Sequence, residues 1–308
     1  MKVFVAGASG VIGRQLVPLL VDAGHEVHGM TRNKSKRGLL EALGAVPVVA
    51  DALDPDQVAE AVGTARPDVI VHQLTAIGAV NTRRMEKSFE ATNRLRIDGT
   101  DHLLSAGQAV GVKKFVAQGH VMSYARTGGP VKSEDDPYDT SPPKQMRANL
   151  NALKHMEEAV LGARWTEGIV LRYGWFYGPG TSLAPDGEQS ELIRRGKFPQ
   201  IGDGGGIWSF VHTADAAQAT VAAIERGDRG VYNVADDDPA AVAEWLPVLA
   251  QRLGGKKPMR VPTWVGRLAA GEAGVVVMTE LRGMSNAKAK SRLGWKPARP
   301  SWRQGLLT

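Results

Sequence analysis

The chain of 308 residues is 43% hydrophobic and 23% charged, which is the composition of a globular protein with ample material for a core. It contains no cysteine, so disulfides and thiolate metal sites are excluded, and a cytoplasmic location is expected. The net charge of +6 is modest, no nucleic-acid-reading motif occurs, and every apolar run ends before a membrane-spanning length. We therefore expect neither a nucleic acid nor a membrane as a partner.

Short apolar runs alternate with helical patterns through the first two-thirds of the chain. The predicted strands are residues 2–6, 26–30, 46–50, 68–74, 114–118 and 168–173. The predicted helices are residues 13–23, 35–43, 86–111 and 147–161, with a further helix that begins at Asp54-Pro55. Continuous apolar strands separated by helices indicate a parallel sheet covered on both faces. The sequence thus predicts a doubly wound α/β fold.

The alternation ends after Tyr173. Residues 178–207 are rich in Gly and Pro and predict loops around one helix, 188–195. Residues 230–234 predict a strand that returns to the sheet. The tail, 239–308, predicts helices near 241–253 and 285–293 joined by loops that carry tryptophans. We therefore expect a main domain of residues 1–174 and 209–235, and a smaller C-terminal domain of residues 175–208 and 236–308.

A glycine-rich loop follows the first strand and precedes the first helix. Gly7 allows a tight turn, Gly10 lets backbone N–H groups approach a pyrophosphate, and Gly13 lets the helix pack closely on the sheet. With the residues between them, they predict a dinucleotide site of the Rossmann type that includes Gly7, Ser9, Gly10, Val11, Ile12 and Gly13.

The end of the second strand decides between the two nicotinamide dinucleotides. A carboxylate there accepts the ribose hydroxyls of NAD, whereas an arginine there meets the 2′-phosphate of NADP. Residues 30–34 carry no carboxylate, and Thr31 and Arg32 offer a hydroxyl and a positive charge. The sequence favours NADP over NAD.

The glycine loop is joined by five further recognisable segments, residues 71–76, 171–180, 210–217, 232–234 and 293–297. Together they resemble the extended short-chain dehydrogenases of the NAD-dependent epimerase/dehydratase group, and more closely the atypical members of that group. The resemblance implies a substrate-binding role for the C-terminal domain. It also implies that the cofactor is held by Asp51, Ala52, Leu74, Thr75, Ala76, Lys154 and Tyr173.

The same resemblance implies a catalytic set of Asn, Ser or Thr, Tyr and Lys. Lys154 matches the lysine, but the tyrosine position four residues earlier is Leu150, which cannot transfer a proton. The Ser/Thr position, four residues before Tyr124, is His120. Asn93 lies in a segment that resembles the asparagine segment, at a longer spacing, and its role stays open.

Two sources of a proton remain at this stage. His120 follows the fifth predicted strand and is a candidate acid, since histidine titrates near neutral pH. Alternatively, no protein acid is needed, and the hydroxyl groups of the substrate, or water, supply the proton, as a quinone-like or phenolic ketone would allow. The residues expected to contact the substrate are His120, Tyr124, Trp175, Tyr177 and Trp208.

The function predicted from the sequence is that of an NADPH-dependent oxidoreductase of the ketone-reductase type. Its substrate is expected to be a small organic carbonyl compound, with aromatic ketones among the candidates. A nucleotide-sugar epimerase or dehydratase is one alternative, and a catalytically inactive NADP-binding redox sensor is the other. No metal motif occurs. Monomer and homodimer both stay open, because Arg94, Arg96, Lys144 and Arg147 leave the helix pair that such enzymes use for dimerisation unusually basic.

Overall fold

Seven parallel strands form the main sheet of the protein. The computed structural model describes residues 1–306, except for the side chain of Ser123. In chain order, the strands are β1 (Lys2–Ala6), β2 (Glu26–Thr31), β3 (Val46–Val49), β4 (Val69–His72), β5 (Lys114–His120), β6 (Val131–Lys132), β7 (Glu167–Tyr173), β8 (Trp175–Tyr177), β9 (Gln200–Ile201), β10 (Ile207–Trp208), β11 (Phe210–His212), β12 (Gly230–Val234), β13 (Ala240–Ala241), β14 (Arg260–Val261) and β15 (Gly283–Met284). The main sheet has the order β12-β7-β5-β4-β1-β2-β3, and the other strands form two-stranded pairs.

Helices cover both faces of this sheet. They are α1 (Val11–Asp22), α2 (Arg37–Ala42), α3 (Pro55–Ala65), α4 (Met85–Val110), α5 (Lys144–Gly162), α6 (Glu188–Arg194), α7 (Thr213–Arg226), α8 (Val242–Arg252), α9 (Thr263–Thr279), α10 (Ala287–Leu293) and α11 (Trp302–Gly305). One buried cluster joins the sheet to α1, α7 and α10, and another joins it to α3, α4 and α5. The predicted doubly wound α/β fold is confirmed.

A third buried cluster lies away from the two faces of the sheet. It gathers the fully buried rings of Trp208, Trp245 and Trp302 together with residues 273–278 of α9, and it reaches Phe89 of α4. These rings explain how a chain with long glycine-rich loops in this region still forms a packed unit. The domain boundaries drawn from the sequence stay a prediction.

The predicted strand at 230–234 does return to the sheet, where β12 pairs in parallel with β7. The main error concerns α9, which lies in a part of the tail predicted as loops. This helix contains Gly266, Gly271 and Gly274, and it bends at Gly271, whose φ is +73°. Glycines disfavour a helix, and the run 273–278 is buried throughout, so neither propensity nor amphipathic periodicity indicated it. No described helix is both long and apolar enough to cross a bilayer.

Candidate active site

The glycine loop brings the backbone of β1 and α1 against the neighbouring strand β4. Gly7 has a φ of +93°, and a Cβ atom at this position would lie 2.7 Å from the carbonyl oxygen of Gln73. A Cβ at Gly13 would lie 2.4 Å from the carbonyl oxygen of Gly7. Gly10 begins α1 as its N-cap, and its N–H donates to the Gly7 carbonyl at 2.9 Å. The result is a glycine cradle at a helix N-terminus, which fits the pyrophosphate of a dinucleotide.

A cavity of about 900 Å³ opens at the carboxyl ends of the strands. Most of the predicted site residues line it, namely Gly7, Ser9, Gly10, Val11, Ile12, Thr31, Arg32, Asp51, Ala52, Leu74, Thr75, Ala76, His120, Trp175 and Trp208. Its volume is large enough for a dinucleotide end together with part of a small substrate. The structure therefore brings together residues that the sequence spreads over 200 positions.

The end of β2 presents positive charge to this cavity. Arg32 is exposed there beside Asn33 and Lys36, all three in the cavity wall. Thr31 is buried, and its hydroxyl lies 3.1 Å from the Ser9 hydroxyl, which ties the end of β2 to the glycine loop. This edge offers cations and hydroxyl groups at the place where the sequence predicted a phosphate.

Two stacked tryptophans form an aromatic wall of the cavity. The rings of Trp175 and Trp208 lie nearly parallel, 14° apart, with their centroids separated by 4.0 Å. The ring of His120 meets Trp175 edge-on at 5.4 Å. Such a wall presents a flat apolar face to a planar ring.

Part of the remaining wall comes from α9, which the sequence did not indicate. Gly266, Ala269 and Ala270 line the cavity. Trp264 and Leu268 of the same helix are exposed by 63% and 67%. Small residues at these positions leave room inside the cavity, and no motif in the sequence marked them.

His120 lies half-buried at the end of β5. Its Nδ1 accepts the N–H of Met122 at 3.2 Å, so a neutral ring carries its proton on Nε2. Burial, assisted by the positive charge of Arg96, lowers the pKa of His120 to about 3. At neutral pH the ring is uncharged, and it can donate a hydrogen bond but does not hold the extra proton that a general acid would give away.

Arg96 of α4 and Asn149 of α5 are cavity residues that the sequence reasoning missed. Arg96 is 3% exposed, and its Nη1 donates to Oδ1 of Asn149 at 2.5 Å. Burial lowers the pKa of the guanidinium to about 10, so it stays charged at neutral pH. The sequence treated Arg96 as part of a basic surface, and this was wrong because the side chain points into the interior.

Lys154 does not line the cavity, against the expectation that it bonds the cofactor. It borders a separate surface depression together with Leu150 and Asn151, and its ammonium lies 5.1 Å from the centre of the Tyr138 ring. The face of α5 that meets the cavity carries Asn149, and Leu153, one turn further along, is fully buried. Lys154 therefore lies on a face of α5 that does not line the cavity, and the prediction that it bonds the cofactor is not supported by its position.

Three predicted tyrosines also lie outside the cavity lining. The Tyr124 hydroxyl donates to Oδ1 of Asn233 at 2.6 Å, and the ring is buried. The Tyr173 hydroxyl is enclosed between Gln73, which donates to it, and Thr220. Tyr177 is fully buried in the cluster of aromatic rings. All three are packing residues in this structure, and burial raises the pKa of Tyr124 and Tyr173 to about 12.

Asn93 is buried beside the loop that follows β4. Its neighbour Thr92 accepts the N–H of Ala76 at 3.0 Å through its hydroxyl, which fixes this loop against α4. The segment therefore positions the cavity wall at residues 74–76, and Asn93 itself is not among the lining residues.

Comparisons with known proteins agree with this geometry. The model of the NAD dependent epimerase/dehydratase family matches residues 3–235. The chain belongs to that family. It is 42% identical over 307 residues to a 3-diazoavenalumate denitrifying reductase of a Streptomyces species, covering 99% of both chains. It is 28% identical over 279 residues to a 4-hydroxy-2-methyl-3-oxo-4-farnesyl-3,4-dihydroquinoline-1-oxide ketoreductase of Stigmatella aurantiaca, covering 88% of this chain and 79% of the relative.

Among solved structures, a UDP-glucose 4-epimerase of Thermotoga maritima superimposes with a TM-score of 0.78 at 24% identity. The match covers 99% of this chain and 96% of the epimerase, and at this identity it concerns the fold. The family and its reductase relatives make the chain an oxidoreductase. The recognition made from the sequence is confirmed at the level of the family.

Proposed function

We propose that the protein is an NADPH-dependent reductase of a small aromatic compound that carries a diazo group, and that its reaction needs no proton from the protein. The observation that carries the proposal is that Asn149, and not a tyrosine, faces the cavity from α5 beside a histidine that holds no proton to give. His120 is neutral at physiological pH, and the cavity face of α5 carries Asn149. The 42% identity to a denitrifying reductase of a diazo compound supports this choice.

The register of α5 supports the loss of the usual proton donor. A Tyr-x-x-x-Lys pair spans one helical turn, so both members share a face. Placed on the face of α5 that meets the cavity, the pair falls on Asn149 and Leu153, which are neither tyrosine nor lysine. A nucleotide-sugar epimerase, which depends on such a base, is correspondingly disfavoured.

The residues around the glycine loop fit a nicotinamide dinucleotide, and those at the end of β2 favour NADP. The cofactor, when bound, supplies a hydride. Arg32 and Lys36 offer two positive charges for a 2′-phosphate, and the Thr31 to Lys36 segment contains no carboxylate to accept ribose hydroxyls. Asp51 lies on the cavity wall beyond β3, at the place expected for the adenine.

Reductive removal of N₂ from a diazo substrate requires no acid. When a hydride replaces the N₂ group of an arenediazonium ion, the new C–H bond takes the hydride, the C–N bond breaks, and neutral N₂ leaves. The protein would then have to bind and orient the ring, for which the Trp175–Trp208 wall offers a flat surface in the cavity. The neutral state of His120 at physiological pH fits a site that moves no proton through that side chain.

A ketone reductase is the second candidate, favoured by the identity to the Stigmatella ketoreductase. Reduction of a carbonyl places negative charge on its oxygen, which must then be protonated. In this site the proton would come from a hydroxyl group of the substrate or from water, as the sequence reasoning allowed. The Nε2–H of His120 would donate a hydrogen bond to the oxygen without giving up its proton.

Turnover of matched compounds separates these functions. We expect the purified protein to consume NADPH with 4-hydroxybenzenediazonium, above the rate without protein, and to form phenol in equal amount. With NADPH deuterated at the transferred position, the deuterium should appear on the ring carbon that carried nitrogen. Consumption with 4-hydroxyacetophenone alone would favour the ketone reductase. Tight NADPH binding without consumption of any carbonyl or diazo compound would favour the redox sensor and contradict the proposal.

The pH dependence of the rate provides a second test. Because the pKa of His120 is lowered to about 3, the ring stays neutral above that pH, and its charge does not change between pH 5 and pH 8. We expect kcat/KM profiles of the wild type and of His120→Gln to have the same shape over roughly this range. A limb with an apparent pKa of about 6 to 7 in the wild type that disappears in His120→Gln would show that His120 titrates during catalysis.

A further inference from the structure

Arg96 is a buried cation in the cavity wall that no described carboxylate neutralises. It makes no ion pair among the residues the structure describes, and its one side-chain partner is the neutral amide of Asn149. Its Nε is buried without a hydrogen-bond partner. A buried charge in this condition is costly unless an anion comes to it.

The neighbouring titratable groups do not offset this charge. His72 on β4 and His120 on β5 both feel Arg96, which lowers the pKa of each in addition to burial, and both rings are neutral at physiological pH. A second buried arginine, Arg172, differs from Arg96 in that a carboxylate of the protein neutralises it. Arg172 is equally buried, and Glu157 accepts from its Nε at 2.9 Å and from its Nη2 at 2.7 Å. One buried guanidinium is therefore paired with a carboxylate of the protein, and the other has the neutral amide of Asn149 as its side-chain partner among the described residues.

We propose that Arg96 and Asn149 form a subsite for an anionic oxygen, a carboxylate or a phenolate, of the aromatic substrate. This inference rests on the proposed function, in that the substrate occupies the same cavity. Since Oδ1 of Asn149 accepts from Arg96, the amide N–H groups of Asn149 are left to donate to the same anion. The stacked tryptophans receive the apolar ring. Arg96 is thus a residue that determines specificity for anionic over neutral aromatic compounds.

The subsite is tested by binding rather than by turnover. Calorimetry on the protein saturated with NADP⁺ would compare cinnamate with the uncharged cinnamamide, and 4-nitrophenolate with nitrobenzene. At least one of the two anions should bind about tenfold or more tightly than its neutral partner, because the charge meets a desolvated guanidinium. The first pair reports on a carboxylate and the second on a phenolate, so the arms show which anionic oxygen the subsite takes.

Variants connect this preference to Arg96. Arg96→Met should remove the preference, and Arg96→Lys should keep part of it, since lysine retains the charge without the planar fork. Arg94→Met is the matched control, because Arg94 lies on the same helix with a side chain 61% exposed, and this variant should keep the full preference. Thermal unfolding of each variant would verify that it is folded. Should Arg96→Met fail to fold, Arg96→Lys and Asn149→Leu carry the comparison.

The proposal is overturned if the wild type binds neither anion more tightly than its neutral partner, or if Arg96→Met keeps the preference. The outcome is separable from the proposed function. A clear anion preference without turnover of a diazo compound would contradict the reaction proposed above and leave the subsite intact. Turnover without an anion preference would do the opposite.

Discussion

Replacing Gly13 by alanine is expected to abolish dinucleotide binding and to lower the free energy of unfolding by about 3 kcal/mol. The added Cβ would lie 2.4 Å from the carbonyl oxygen of Gly7 and 2.5 Å from that of Ala8. Both are backbone atoms of the loop, so the clash cannot be relieved by rotation of a side chain. The loop would have to move away from α1, and the N–H groups that face the pyrophosphate would move with it. Chemical denaturation and calorimetry with NADP⁺ measure the two effects.

Gly63→Ala is the control for this substitution. Gly63 lies within α3, and a Cβ there would meet nothing within 4 Å. We expect the change to stabilise the protein by about 0.5 to 1 kcal/mol, since alanine loses less conformational freedom than glycine in a helix. Normal NADP⁺ binding by Gly13→Ala would show that the glycine cradle does not have the role assigned to it.

Arg32→Asp is expected to reverse the choice of cofactor. It removes a positive charge from the edge of the cavity and places a carboxylate where the 2′-phosphate of NADP would lie. We expect kcat/KM with NADPH to fall by about 100-fold, while that with NADH changes little or rises. Initial rates with the two cofactors at fixed substrate concentration give both values.

Arg37→Asp makes the same change of charge next to this site. Arg37 begins α2, is exposed, and is not a lining residue of the cavity. We expect it to alter the ratio of the two cofactors by less than about threefold, because exposed charges are screened by solvent and salt. An equal loss of NADPH activity in both variants would show that the effect comes from the overall electrostatic potential of this surface and not from a contact between Arg32 and the cofactor. No loss in Arg32→Asp would contradict the preference for NADP.

The sequence was a good guide to the sheet and to the cofactor end of the cavity. Continuous apolar runs identify buried parallel strands, and the glycine spacing between β1 and α1 has few structural explanations. Both depend on local backbone requirements, which a sequence displays directly. The Asp54-Pro55 helix start was found in the same way, and Asp54 caps α3 by accepting the N–H groups of Asp56 and Gln57.

The substrate end could not be predicted equally well, because its geometry depends on how helices are rotated. One residue along a helix turns a side chain by about 100°. Because the tyrosine of the Tyr-x-x-x-Lys motif is absent, the prediction aligned the motif on α5 by Lys154 alone. This put the motif on a face of the helix that does not line the cavity. Arg96 was taken as a surface residue, since a charge in a long polar helix usually is one. Its burial follows from the packing of α4 between α3 and α5, which no local pattern reveals.

The division of the cavity between backbone and side chains has a consequence for how such a protein evolves. The glycine cradle is made by peptide groups, and almost any substitution within it is penalised by the fold itself. Positions 96, 120 and 149, in contrast, contribute side chains from three separate elements, α4, β5 and α5, and their replacement does not require a change in the backbone of the glycine cradle. A lineage can therefore abandon one reaction and acquire another at the substrate end while it keeps the backbone site for a dinucleotide. Selection then acts on a small group of side chains rather than on the scaffold.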